Sequence, residues 1–209
     1  MTDDEDLGFP VPPDVEIVER TTPFRGYFRI DRYRLRHRKH DGDWTDVMTR
    51  EVFERGHVVA VLLYDPVRDA VVLLNQFRIG ALAARKPAWQ NEIVAGIIEP
   101  GESPEEVARR EAQEEAGCRV EELIFLYDAL SSPGGATETV KFYLGLVDSR
   151  GAGGIHGLDE EHEDIRVSAV PFDEAWAMLE AGRIDNAPGL ITLQWLALNR
   201  ERLRACYGG

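Results

Sequence analysis

The chain has 209 residues, 44% hydrophobic and 30% charged, which is ordinary for a soluble globular protein and long enough for one substantial domain with a smaller appendage. Its formal charge of −14 argues against nucleic acid or an anionic membrane surface as a general partner. The longest apolar run, Val58 to Tyr64, is far too short to span a bilayer, and two cysteines, Cys118 and Cys206, make neither a disulfide framework nor a metal-ligand spacing.

Residues 1–13, acidic and proline-rich, have no basic leader and no apolar stretch, so they read as a loose tail and not as a signal peptide. With the cysteine usage, this gives a reducing cytoplasm as the expected compartment. Residues 14–50 carry strand-like segments around an Asp41-Gly42 turn and read as a small N-terminal β subdomain. Seven basic residues fall between Arg25 and Lys39, and across the chain Arg outnumbers Lys by 21 to 3. Residues 51–209 read as the main domain. The segments 57–64 and 70–78, joined by the turn "DPVRD", form a predicted hairpin. A short strand, 91–96, then leads into a helix, followed by strands at 122–130 and 139–147 around the glycine loop 131–138. A long loop, 148–164, precedes a strand at 165–170, and two predicted helices, 171–182 and 190–205, close the chain. The whole is α/β.

The helix after residue 103 is well signalled. Ser103 can cap it, Pro104 suits its first position, and Glu106 completes a capping box. Gly117 fits the position just past its end. Ala108, Ala112 and Ala116 recur every fourth residue, a stripe narrow enough for close packing on a sheet. The same helix crowds Glu111, Glu114 and Glu115 at its C-terminal end, where the helix dipole is already negative. A solvated acidic face is the ordinary reading of such a run. Its unfavourable place, on a helix that directly follows the glycine-bearing loop Gly96–Gly101, points instead to oxygen ligands for a hard divalent cation. Arg110 can pair with Glu106 and Glu114 and remove part of the repulsion.

These residues resemble the Nudix box. Gly96, five residues, Glu102, seven residues, Arg110-Glu111, an apolar residue, one residue, Glu114-Glu115, one residue, Gly117 and Cys118 fill all of its fixed positions. The resemblance implies a mixed β-sheet sandwiched between helices. It also implies hydrolysis of a nucleoside diphosphate linked to another moiety, with Mg²⁺ or Mn²⁺, two or more per site. Glu111 and Glu115 would ligate metal, with Glu114 nearby and an oxygen from the Ala95 backbone, while Arg110 and Glu102 hold loop and helix together.

Pro133, sixteen residues beyond Gly117, resembles the ADP-ribose pyrophosphatase branch, as do "YRLRHR", "REVFERGH", "GIHGLDEEHEDIRV" and "GRIDNAPGLITLQWL". That branch implies cleavage of ADP-ribose to AMP and ribose 5-phosphate. It gives Glu161, in the acidic loop 159–164, the role of general base, and Glu163 a further metal contact; nothing in the resemblance supports His162. Tyr27 and Phe28 would hold adenine, Arg50, Arg55 and Arg78 would bind or orient phosphate, and Glu51 and Glu138 would accept from ribose hydroxyls. Ile97, Ser132, Pro133 and Gly134 would line the pocket. The branch also implies a homodimer in which Tyr27, Phe28, Arg50 and Glu51 serve the partner's site. Alternatives are a pyrophosphatase of GDP-mannose or of several ADP-sugars, and a non-catalytic ADP-ribose sensor.

Overall fold

A computed structural model describes residues 9–158 and 162–209. Their contacts cluster in two compact units, one of the described residues up to 57 with 130–139, the other of the described residues within 58–129 and 140–209.

The larger unit is built on an eight-stranded mixed sheet. Its main path runs β10 (Gly153–His156), β11 (Ile165–Pro171), β5 (Ala70–Phe77), β4 (Val58–Asp65), β9 (Thr139–Leu146) and β8 (Glu122–Leu130). β6 (Trp89–Glu92) pairs with β5, and β7 (Val94–Ile97) pairs with β4. β4 and β5 form the expected antiparallel hairpin, whereas β4 and β9 run parallel. Both central strands are apolar at nearly every position because both sheet faces are covered. On one face Val59, Val61, Leu63, Val72 and Leu74 meet α2 (Pro104–Ala116) through Val107, Ala108, Ala112 and Ala116. On the other, Ala60, Leu62, Tyr64, Val71 and Leu73 pack with residues of α3 (Phe172–Glu180) and α4 (Ala187–Tyr207). The alternating parity of the two sets is the period-2 rule of a strand. The alanine stripe on α2 is wholly buried, so it sets the helix close to the sheet.

Four elements differ from the sequence reading. The single strand expected over 91–96 is two, β6 and β7, which pair with different neighbours, β5 and β4. A five-residue helix, α1 (Ile79–Ala83), follows β5 without any side-chain cap. β10 lies inside the segment expected to be loop, since two glycines give it no strand propensity and only pairing with β11 makes it one. The last helix starts earlier than its apolar period, because Asn186 caps it through the Gly189 N–H.

The smaller unit contains an antiparallel sheet of β1 (Val15–Arg25), β2 (Arg29–His37) and β3 (Met48–Glu54). Its dense basic charge is met across the strands by Glu16 for Arg36, Glu19 for Arg34 and Glu51 for Arg32. Arg36 and Arg38 also lie over the Trp44 ring. The glycine loop 131–138 belongs to this unit: Phe53 donates its N–H to the Gly135 carbonyl, and Thr137 donates to the Phe53 carbonyl.

Candidate active site

α2 begins with the complete capping box, Ser103 and Glu106 each accepting from the other's backbone N–H, and ends on Gly117 at φ +63°. A side chain there would also meet His156, whose Cε1 lies 2.7 Å from where a Cβ would stand. These two ends fix the helix register, and register decides where its carboxylates go. Glu115 is 4% exposed and accepts from the Ala95 N–H at 3.0 Å, so the helix is tied to β7 at that residue. Glu111, one turn earlier, lies over Gly96. A Cβ on Gly96 would stand 2.1 Å from a Glu111 carboxylate oxygen, so only glycine leaves room for it.

Burial pushes the Glu111 carboxyl up to about 7, with Arg110 opposing and Glu114 and Glu163 adding to the rise. Glu115 is pushed to about 8, first by burial; the Ala95 N–H and Arg78 oppose, while Glu111 and Glu163 raise it further. In both carboxylates burial outweighs the compensation that Arg110, Arg78 and the Ala95 N–H provide, so a further cation would favour their charged forms. An all-oxygen donor set is the chemistry that Mg²⁺ or Mn²⁺ prefers. Residues and metal therefore fit. Among the described residues, however, no three acidic, histidine or cysteine side chains already converge as a metal cluster.

The remaining carboxylates have protein partners. Glu114 is held by Arg110 at 3.0 Å, and Arg110 reaches Glu111 at 3.0 Å and Glu102 at 3.5 Å as well. Glu102 in turn accepts from the Glu99 N–H, which closes the loop before the helix. The Glu163 carboxylate accepts from the Leu158 N–H at 3.2 Å, and its Cβ sits against Gly157 at φ +105°. Arg78 is aimed by an ion pair with Glu92 at 2.8 Å. Ile97 ends β7, paired with Val58. Glu161 lies outside the described residues. His162 stands at φ +56°.

The smaller unit gathers a second constellation. The Tyr27 and Phe28 rings meet edge to face at 4.8 Å, and Phe28 meets Phe53 at 5.1 Å. Tyr27 is 88% exposed, unusual for an aromatic residue. The Arg55 guanidinium lies 5.6 Å from the Phe28 ring centre, and its Nε is 2.8 Å from Glu138 Oε2. Those two buried atoms are close enough for Coulombic pairing yet off the line a hydrogen bond needs. Arg50 donates to the Thr49 carbonyl, and Glu51 is held by Arg32. Ser132, Pro133 and Gly134 form an exposed turn in which the Ser132 carbonyl accepts from Gly135 and Ala136.

Two residues of the larger unit were not singled out by the sequence reading. Glu92 aims Arg78, and Gln76, on β5, stands two residues before Arg78, which follows the strand in extended conformation. Their signal is faint: a polar residue at the end of an apolar run, in step with an arginine.

A family model described as the NUDIX domain matches residues 54–192. The ADP-ribose pyrophosphatase of Escherichia coli (strain K12) is 49% identical over 191 residues, covering 91% of each chain. The GDP-mannose pyrophosphatase of Pectobacterium atrosepticum is 34% identical over 185 residues, 86% of this chain and 92% of the relative. A solved structure titled "Crystal structure of ADP compounds hydrolase" shares the fold, with a TM-score of 0.69 at 21% identity over 96% of this chain and 100% of that one.

Proposed function

Because the chain belongs to the NUDIX family and is a hydrolase, we propose that it cleaves ADP-ribose to AMP and ribose 5-phosphate with Mg²⁺, Mn²⁺ being able to substitute. The observation that carries the chemistry is the neighbouring pair of half-buried Glu111 and buried Glu115, raised to about 7 and about 8 by burial although Arg110 and Arg78 offset part of the rise. The substrate rests on 49% identity, over nearly the whole chain, to a relative named for ADP-ribose.

Glu111 and Glu115 would hold the metal, with Glu114, Glu163 and the Ala95 backbone as the further candidates. A divalent cation there supplies charge neutralisation for the pyrophosphate and eases removal of the attacking water's proton. Glu161 is proposed to accept that proton. Arg78, held straight by Glu92, offers its guanidinium to a phosphate oxygen, and Arg50 and Arg55 serve the same charge. Tyr27 and Phe28 present π-faces suited to adenine. Glu51 and Glu138 offer acceptors to ribose hydroxyls, while Ile97, Ser132, Pro133 and Gly134 line the substrate's path. A homodimer is part of this reading, with Tyr27, Phe28, Arg50 and Glu51 serving the partner's substrate. Two free cysteines support a reducing cytoplasm as the compartment, and no helix among the described residues is long and apolar enough to cross a membrane.

A panel of nucleotide sugars hydrolysed with Mg²⁺ in ¹⁸O-labelled water tests substrate and bond together. ADP-ribose is expected to have the highest kcat/KM, with one labelled oxygen in a product. A higher value for GDP-mannose would favour the second reading, which the 34% identical relative supports. Glu161→Gln is expected to lower kcat by about 10²- to 10⁴-fold while calorimetric Mg²⁺ uptake stays as in the wild type. Near-normal turnover would remove Glu161 as the base.

A further inference from the structure

Gln76 lies near the end of β5, 5% exposed, and its Nε2 is a buried donor without a hydrogen-bond partner among the described residues. Its surroundings follow from strand parity. Leu74 and Gln76 project to the same face, and Leu74 belongs to the apolar core under α2. Arg78 continues in extended conformation, its N–H bonded to the Ala88 carbonyl, and so keeps that parity. Gln76 pairs with Gln90 on β6, whose own amide is already used on the Pro87 carbonyl. Glu92, two residues further along β6, is used on Arg78. The neighbouring polar groups thus have partners, while the buried Gln76 Nε2 has none among the described residues and lies on the strand face shared with Arg78, whose charge acts on Glu115.

A buried amide donor without a partner lowers stability, because folding strips it of water and returns nothing. Leucine or methionine would fill the same volume without that loss. Granting the pyrophosphatase reading above, we infer that Gln76 donates its Nε2–H to a phosphate oxygen of the bound pyrophosphate, beside Arg78. Such a donor orients the anion without adding charge to a site where carboxylates and metal already set the balance. Arg78 neutralises and Gln76 aligns.

The test is calorimetric titration of α,β-methylene ADP-ribose, which cannot be cleaved between its phosphates, into the Mg²⁺-loaded protein. Gln76→Leu is expected to weaken binding about 10- to 100-fold, the range for a hydrogen bond to a charged acceptor. Uptake of Mg²⁺ alone should be unchanged, and the Tm of the metal-free protein should stay equal or rise. Gln76→Met replaces Leu if that variant fails to fold. Analogue affinity within twofold of wild type would overturn the inference, above all with a lowered Tm, since the amide would then be structural. Loss of Mg²⁺ uptake would overturn it too, by moving Gln76 to the metal. A wild type that binds no analogue would defeat the ADP-ribose reading itself; a wild type that binds no better than Gln76→Leu would defeat only this role.

Discussion

Two groups of buried and half-buried carboxylates in the larger unit have opposite fates. At the β4–β5 turn, burial alone would raise Asp69, but Arg200, the Tyr64 hydroxyl and Arg204 reverse this and leave its carboxyl below the usual range. Asp65 beside it is likewise lowered, burial being outweighed by the N–H groups of Arg68, Ser149 and Val67 and by the Ser149 hydroxyl. Under α2, burial wins, and Glu111 and Glu115 stand at about 7 and about 8. The difference separates carboxylates whose burial the chain outweighs with its own cations and donors from a pair whose burial it offsets only in part. Where the chain needs a buried anion for structure, it supplies the cation or the donors itself.

The comparison breaks most easily at Glu115. Glu115→Gln is expected to lower kcat by about 10²- to 10³-fold, the scale for losing one charge-stabilising element of a transition state. The same change should raise the Tm of the metal-free protein at neutral pH, since it removes the cost of protonating or charging a carboxyl raised to about 8 and keeps an acceptor for the Ala95 N–H. Lower activity with lower metal-free stability would contradict the contrast. Asp69→Asn should do the reverse. Asparagine tolerates φ +55° and can still bond Tyr64, but Arg204 loses its counter-charge and Arg200 keeps only exposed Asp173. A loss of roughly 2–3 kcal/mol is expected, below the range for a fully buried pair because Arg200 is partly exposed. Thermal unfolding reads this as a drop of about 5–10 °C, with kcat/KM unchanged.

A pH series sharpens the contrast. Glu111 and Glu115 have folded pKa values above the unfolded value of 4.5. Between about 5 and 8 the folded state therefore binds more protons, and the stability they contribute is lost as pH rises. The slope is at most about 1.4 kcal/mol per pH unit for each carboxylate, reduced by relaxation and water. The aspartates act in another window: Asp31, Asp65 and Asp69 are lowered, so their stabilisation is present above about 4 and lost as pH falls below it. Metal-free unfolding curves should decline from pH 5 to 8, and saturating Mg²⁺ should flatten that decline. A decline unaffected by Mg²⁺, or absent without it, would show that the pair is not the source. The smallest effect belongs to the exposed ladder of the other unit. Arg36→Ala is expected to cost about 0.5–1 kcal/mol, more through Trp44 than through Glu16, so high salt should recover little of it.

The helix of the box was legible because its instructions are local. A cap, a proline, an alanine every fourth residue and a terminal glycine lie within fifteen residues, and each acts on its near neighbours. The carboxylate pair was legible as an electrostatic oddity on that helix. What escaped depends on residues far apart in the chain. Arg200 reaching Asp69 spans 131 positions, and no local pattern announces it. β10 is a strand only because β11 lies beside it. The grouping of loop 131–138 with the N-terminal strands turns on two backbone hydrogen bonds at Phe53, which side-chain types do not encode. Nor could the basic run from Arg25 to Lys39 be read as balanced until strand register set arginines opposite glutamates.

The cradle at Gly96 has a consequence for how this chain can vary. The space a methyl group would fill there is taken by the Glu111 carboxylate, so backbone and acid share one volume and neither can be altered alone. Enlarging position 96, even to alanine, would lever the acid outward and tilt the helix that carries it. Shortening the acid to aspartate would leave a void that only a bulkier residue at 96 could close. Substitution has to proceed as a matched exchange between strand and helix, a lock of two parts that single changes cannot open without jamming.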